Sequence, residues 1–268
     1  MWERRFGYPK PQRSAGKQRL YTYAEITALR DALAEGLSIS SAVSVARDAH
    51  GADAYALLRA LCSFRGDEAD RAMEASLALR SVGRSLEEVL LRATETIRRR
   101  HGDRSAVFAF ANAWSEDWLH RVRRLVPPLA PRGRVLIGDA SAPQLDPART
   151  YLAALEVCCA RSGIESLALP IRASTRLREA VSAVQPDVVV IGGSDALNDD
   201  VARWAYQVRM VVDEAPFLLY QREIGSSTPY AQARALSDSP VEANGELVDL
   251  IDGRADFAGA SRPLVPAG

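Results

Sequence analysis

"DVVVIGGSD", running from Asp187 to Asp195, decides the architecture. Its apolar run Val188-Val-Val-Ile191 is continuous rather than alternating and too rich in β-branched residues to be anything but a buried strand. Working outward, "RVLIGD" at 134–139 reads as a strand, 147–162 as a helix, "ESLALP" at 165–170 as a strand and 175–185 as a helix. On the other side come a helix near 198–210 and the strand "FLLY" at 217–220. Strand and helix in alternation predict a parallel, doubly wound sheet over 132–223. Beyond about residue 225 the chain is rich in Ser, Pro, Gly, Ala and Asp without sustained periodicity, so 224–268 is expected to be a disordered tail.

Upstream, Pro127-Pro128 and Pro131-Arg132-Gly133 form a proline-rich hinge. Before it lie four helical patterns, roughly 53–64, 67–81, 85–101 and 104–126, with brief breaks at Arg65-Gly66, Val82-Gly83-Arg84 and Gly102-Asp103. Short connections favour antiparallel neighbours, which predicts a four-helix bundle over 52–127. Ser85 with Glu88 is a capping box that starts the third helix. Thr22 with Glu25 is another, opening a helix over roughly 23–35 that Gly36 stops; Ser38 opens a further one that ends near His50-Gly51.

The composition, 47% apolar and 25% charged with no apolar run near the ~20 residues that span a bilayer, predicts a cytoplasmic globular protein with no membrane partner. Cys62, Cys158 and Cys159 lack zinc spacing and are expected to be core residues; no metal site is expected. His50 and His101 fall at helix C-termini, where capping explains them, and His120 sits in an amphipathic pattern with Trp114 and Trp118. With no nucleophile elbow, no phosphate-binding Gly-x-x-x-x-Gly-Lys and no histidine beside the strand-end acids, no catalytic residue and no enzyme activity is expected.

Open parallel sheets bind ligands outside the carboxyl ends of their strands. Those ends here are Asp139-Ala-Ser141, Pro170-Ile-Arg172 and Gly192-Gly193-Ser194-Asp195. Gly192 and Gly193 either let a ligand approach the backbone or simply turn the chain into the next helix. Ser141, Arg172 and Ser194 could bond the polar groups of a small-molecule effector.

Formal net charge is zero, yet residues 2–22 carry Arg4, Arg5, Lys10, Arg13, Lys17 and Arg19 against Glu3 alone. Pro9 and Pro11 restrict the entry, Ala15-Gly16 allows a tight turn and Arg19-Leu-Tyr21 provides a return strand, so a small cationic hairpin is predicted. "WERRFGYPKPQRSAGKQRLYTYAEI", followed by "LRDALAEGLSISSAV", resembles the winged helix-turn-helix of MerR-family transcription regulators across residues 2–49. The resemblance implies that Arg4 and Arg5 end the recognition helix, that Arg13, Lys17 and Arg19 lie on the wing and that Tyr21 reaches a phosphate. It implies double-stranded DNA as a partner and a homodimer or higher homo-oligomer. Residues 1–50 are then a partial DNA-binding domain, and the expectation is a longer native product in which Met1 is internal. The alternative is a sensor or adaptor that retains the wing as a relic.

A helix bundle followed by a doubly wound domain of the Rossmann or flavodoxin type resembles the cobalamin-binding half of light-sensing MerR-type repressors of carotenoid genes. It also resembles a curli regulator with a degenerate site. The cobalamin binders carry Asp/Glu-x-His-x-x-Gly after the first strand, and a Trp with a distant Glu-His pair on the bundle. Here "GDASAPQLDPARTY" sets Leu145 or Asp146 at the histidine's place, with Arg149 and Tyr151 where small residues would serve better. On the bundle His101 roughly replaces the tryptophan, and "FAFANAWSEDW" carries no Glu-His. A carboxylate or leucine does not substitute for an imidazole on cobalt, so no cobalamin cofactor is expected.

Overall fold

The computed structural model describes residues 12–13, 19–20, 54–127, 129–141, 145–172, 176–193, 196–212, 214–222 and 233–260. Arg4, Arg5, Lys17, Tyr21 and Ser194, and the helices expected before residue 51, lie outside the described residues. The chain divides into two compact units, Met1–Arg100 and His101–Gly268.

In the first unit, β1 (Gln12–Arg13) pairs antiparallel with β2 (Arg19–Leu20), Gln12 opposite Leu20 and Arg13 opposite Arg19. The turn expected at Ala15-Gly16 lies outside the described residues. Helix α1 covers 54–62, α2 Gly66–Leu79 and α3 Val82–Arg84. Helix α3 runs on as a π-helix, Ser85–Leu91, into α4, Arg92–His101. Leu57, Leu61, Met73, Leu86, Leu90 and Ile97 are fully buried. The third helix starts before the Ser85 capping box. Ser81 is the N-cap, accepting from the Arg84 amide at 3.4 Å, while Ser85 is buried and bonded to the Ser76 hydroxyl at 2.9 Å. Glu88 is spent on Arg84, at 2.7 Å.

In the second unit, α5 (Ala106–Leu125) precedes a five-stranded parallel sheet made of β3 (Gly133–Asp139), β4 (Ile164–Pro170), β5 (Val188–Gly192), β6 (Phe217–Tyr220) and β7 (Arg234–Ala235). The strand order is β4-β3-β5-β6-β7. Helices α6 (Pro147–Ser162), α7 (Leu177–Val184) and α8 (Asn198–Arg209) make the crossovers. Residues 240–260 form α9, Pro240–Ala260, and so correct the expectation of a disordered tail: β7 pairs with β6, and Leu247 and Ile251 of α9 are buried. Short periodicity broken by Gly245 and Gly253 hid that helix. Helix α5, read as the last bundle helix, contacts α6.

Alternation along the strands divides the core in two. Leu136, Val189, Ile191 and Leu219 face Val181, Val201, Trp204 and Val208. Val135, Ile137, Val188, Val190 and Tyr220 face Leu152, Leu155, Leu247 and Ile251. Each such aliphatic side chain contributes about 1.5–3 kcal/mol relative to exposure. Helix α6 is locally fixed at both ends. Asp146 caps it by accepting from the Ala148 amide at 2.9 Å, Pro147 opens it, and Gly163 closes it at φ +82°. No described helix is long and apolar enough to cross a membrane.

Candidate functional site

The connections leave β3 and β5 in opposite directions across the sheet, so the carboxyl ends of these two strands flank a topological switch point. There the backbone closes on itself. The Ala140 amide donates to Gly192 O at 2.7 Å, and the Ala196 amide to Ala140 O at 2.8 Å. The Asp139 carboxylate accepts from the Ser141 amide at 2.9 Å and from the Ser141 hydroxyl. Arg222, two residues beyond β6, donates to Gly193 O at 2.9 Å and Ala196 O at 3.1 Å, fixing the turn out of β5.

The two glycines are explained by this closure. A Cβ on Gly192 would lie 2.3 Å from Leu152 Cδ2, and one on Gly193, at φ +89°, 2.5 Å from the Ser141 nitrogen. The chain's own atoms take the room the glycines leave. Ser141, Gly192 and Gly193 are thus brought together, whereas Arg172 stands apart at the end of β4, exposed and bonded to Asp200 at 3.2 Å.

Of the two positions set against the histidine of the resemblance, Asp146 is the cap of α6 and Leu145 precedes it at φ +67°. Nor does Arg149 stand free. It bonds Glu116 on α5 at 2.9 Å, and that carboxylate, foremost, holds the guanidinium more firmly protonated. His120 and His101 are exposed. Since the chain's histidines are His50, His101 and His120, none of the segments following β3, β4, β5 or β6 contains an imidazole.

Sequence reasoning missed a polar seam between α5 and α6. The Thr150 hydroxyl donates to Asn112 Oδ1 at 2.7 Å, and Asn112 Nδ2 to Glu116 Oε1 at 2.7 Å. Arg123 pairs with buried Glu156 and donates to Ser166 O at 2.7 Å. Burial pulls the Arg123 guanidinium below its ordinary value and pushes the adjacent Cys159 thiol up to about 12. The signal was available, since Asn112, Glu116 and Arg123 recur at near-helical spacing. Among the described residues no group of His, Cys, Asp and Glu could hold a metal ion.

No protein-family model matches the chain, and no curated protein matches it. Solved structures do. The monomethylamine corrinoid protein of Methanosarcina barkeri is similar at 12% identity and a TM-score of 0.50, over 72% of this chain and 96% of that one. The methanol:cobalamin methyltransferase complex MtaBC of Methanosarcina barkeri is similar at 12% identity and a TM-score of 0.38, over 75% of this chain and 80% of that one. A cobalamin-binding protein of Desulfitobacterium hafniense is similar at 11% identity and a TM-score of 0.38, over 74% of this chain and 98% of that one. The expectation of no cobalamin cofactor is corrected by the likeness to the monomethylamine corrinoid protein. The chain carries a cobalamin-binding-like α/β fold.

Proposed function

We propose that the protein is a DNA-binding transcription regulator of the MerR type, acting as a homodimer or higher homo-oligomer, with a cobalamin-binding-like domain as its effector half. The observation that carries this reading is the order of residues 2–25, in which a Trp-Glu-Arg-Arg segment precedes a cationic hairpin. The antiparallel pairing of Arg13 with Arg19 supports it. Arg4, Arg5, Arg13, Lys17 and Arg19 meet the phosphates of duplex DNA, with Tyr21 adding a neutral contact. The protein works by binding rather than by catalysis.

A gel-shift series tests the DNA claim. The chain is expected to bind duplex DNA with an affinity that falls as salt rises. Replacing Arg13, Lys17 and Arg19 by Gln should flatten the salt dependence by about 0.9 in slope for each phosphate no longer neutralised. Binding that ignores both salt and these substitutions would overturn the reading.

A corrinoid is one ligand class for the effector half. The donor chemistry of the strand ends does not fit histidine ligation, because no segment there carries an imidazole, and the Gly192 and Gly193 spaces are filled. Were a corrinoid bound, no residue of these segments would supply an imidazole to its cobalt. Gel filtration with adenosylcobalamin, read by spectrum, checks this. A bound corrinoid whose spectrum reports a protein imidazole would contradict it.

A further inference from the structure

Strand β4 ends the sheet, with β3 as its neighbour. The Arg132 amide donates to Gly163 O at 2.8 Å before the β3–β4 ladder, and the Ile171 amide to Asp139 O at 2.8 Å after it, so the odd-numbered residues of β4 turn their backbone groups toward β3. Successive residues of a strand turn these groups to opposite sides, which leaves Ile164, Ser166, Ala168 and Pro170 facing away from the sheet. A row of that kind is a template on which another chain can pair, and here it runs through the half-buried apolar stretch Leu167-Ala168-Leu169. Two features interrupt it. Pro170 has no N–H to offer. Arg123, in the last turn of α5, donates to Ser166 O at 2.7 Å and lies 3.3 Å from its hydroxyl, while its other terminal nitrogen is held by Glu156, 5% exposed. A buried carboxylate thus fixes the guanidinium at the strand. At the opposite edge β7 is two residues long, too short to template a partner.

We propose that Arg123 guards this edge: by occupying the Ser166 carbonyl it keeps β4 from adding the β4 strand of a second copy, so that copies of this chain associate through other surfaces. In an antiparallel pairing centred on Leu167, the Ala168 amide of each copy would donate to Ser166 O of the other. It could do so only by displacing a guanidinium that is bound on two sides. Separate nitrogens of one planar group serve the carboxylate and the carbonyl together, in a fixed geometry that an ammonium does not offer. The role is independent of DNA reading, because neither α5 nor β4 carries a residue assigned to it.

Sedimentation velocity on the full chain over a concentration series tests this. Arg123→Met combined with Glu156→Leu removes both charges together, so that no buried charge is left unpaired. The combined variant should keep the circular dichroism of the parent and gain, as concentration rises, a species of about twice the parent's mass, since two β4 edges paired about a two-fold axis close each other. Adding Ala168→Pro removes an outward amide that the sheet does not use, and should abolish that species. Ala168→Pro alone should change neither the parent's size nor its circular dichroism. If the combined variant does not fold, Arg123→Gln carries the same expectation and the same rescue, because its amide still donates to Glu156 but ends two atoms short of Ser166. A variant that keeps the parent's size at every concentration, a larger species that survives Ala168→Pro, or unfolding by Ala168→Pro alone would each overturn the proposal.

Discussion

The seam between α5 and α6 and the cleft between α7 and α8 are built from similar side chains to opposite ends. In the seam each charge meets its partner inside the protein: Arg123 with Glu156, Arg149 with Glu116. In the cleft the charges are exposed: Arg172 and Arg203 lie against Asp200 on solvent-facing side chains. Buried polar groups hold helices together; exposed ones are answered by water as well. Buried, hydrogen-bonded pairs are costly to break singly, whereas exposed pairs matter little to stability.

That contrast can be broken or sharpened by measurement. The largest effect is expected at alkaline pH. Burial first, then Cys158, raises the Cys159 thiol from 9.0 to about 12, against a smaller opposing pull from Arg123. A raised folded value means that the stabilisation is fully present below pH 9 and is lost as pH climbs toward 12, at up to about 1.4 kcal/mol per pH unit. Tyr220, held well above its ordinary value mainly by burial, adds to the same loss. Urea melts from pH 8 upward should show it, and Cys159→Ala should make the decline shallower; an unchanged slope would remove Cys159 from the account.

Next comes Glu156→Ala, which leaves the partly buried Arg123 without its carboxylate and should cost about 2–3 kcal/mol in chemical denaturation. A loss below half a kcal/mol would show that the seam is no tighter than a surface pair. Thr150→Val removes the donor to Asn112 at unchanged shape, with an expected cost of about 1–2 kcal/mol. The smallest effect is reserved for the cleft. Asp200→Asn should alter thermal stability by no more than about 0.5 kcal/mol, because its partners are exposed. A large loss there would make the cleft a structural joint like the seam.

Much of the fold was written in local pattern. The helix expected at 147–162 is Pro147–Ser162, and the strand at 217–220 is Phe217–Tyr220, because caps, proline and β-branched runs act within a few residues. What escaped depended on distance. Helix α9 is stabilised by burial of Leu247 and Ile251 in one core with Val135, Val188 and Leu218 on three earlier strands, which no window over 240–260 reveals. Ser85 looked like a cap because its spacing to Glu88 fits one, but the pairing of Arg84 with Glu88 and of Ser85 with Ser76 claimed both groups. At the strand ends the residue types were legible and their partners were not. Gly192 and Gly193 read equally well as room for a ligand or room for the chain, and only the positions of Leu152 and Ser141 distinguish these.

Gly138 has no side chain because the indole of Trp204 occupies its place: a Cβ there would lie 2.8 Å from the ring. The next residue on that strand is Asp139, whose carboxylate holds Ser141. A methyl group at position 138 would therefore press on the Trp204 ring or displace the strand, and the displacement would be felt one residue later, at the carboxylate that holds Ser141.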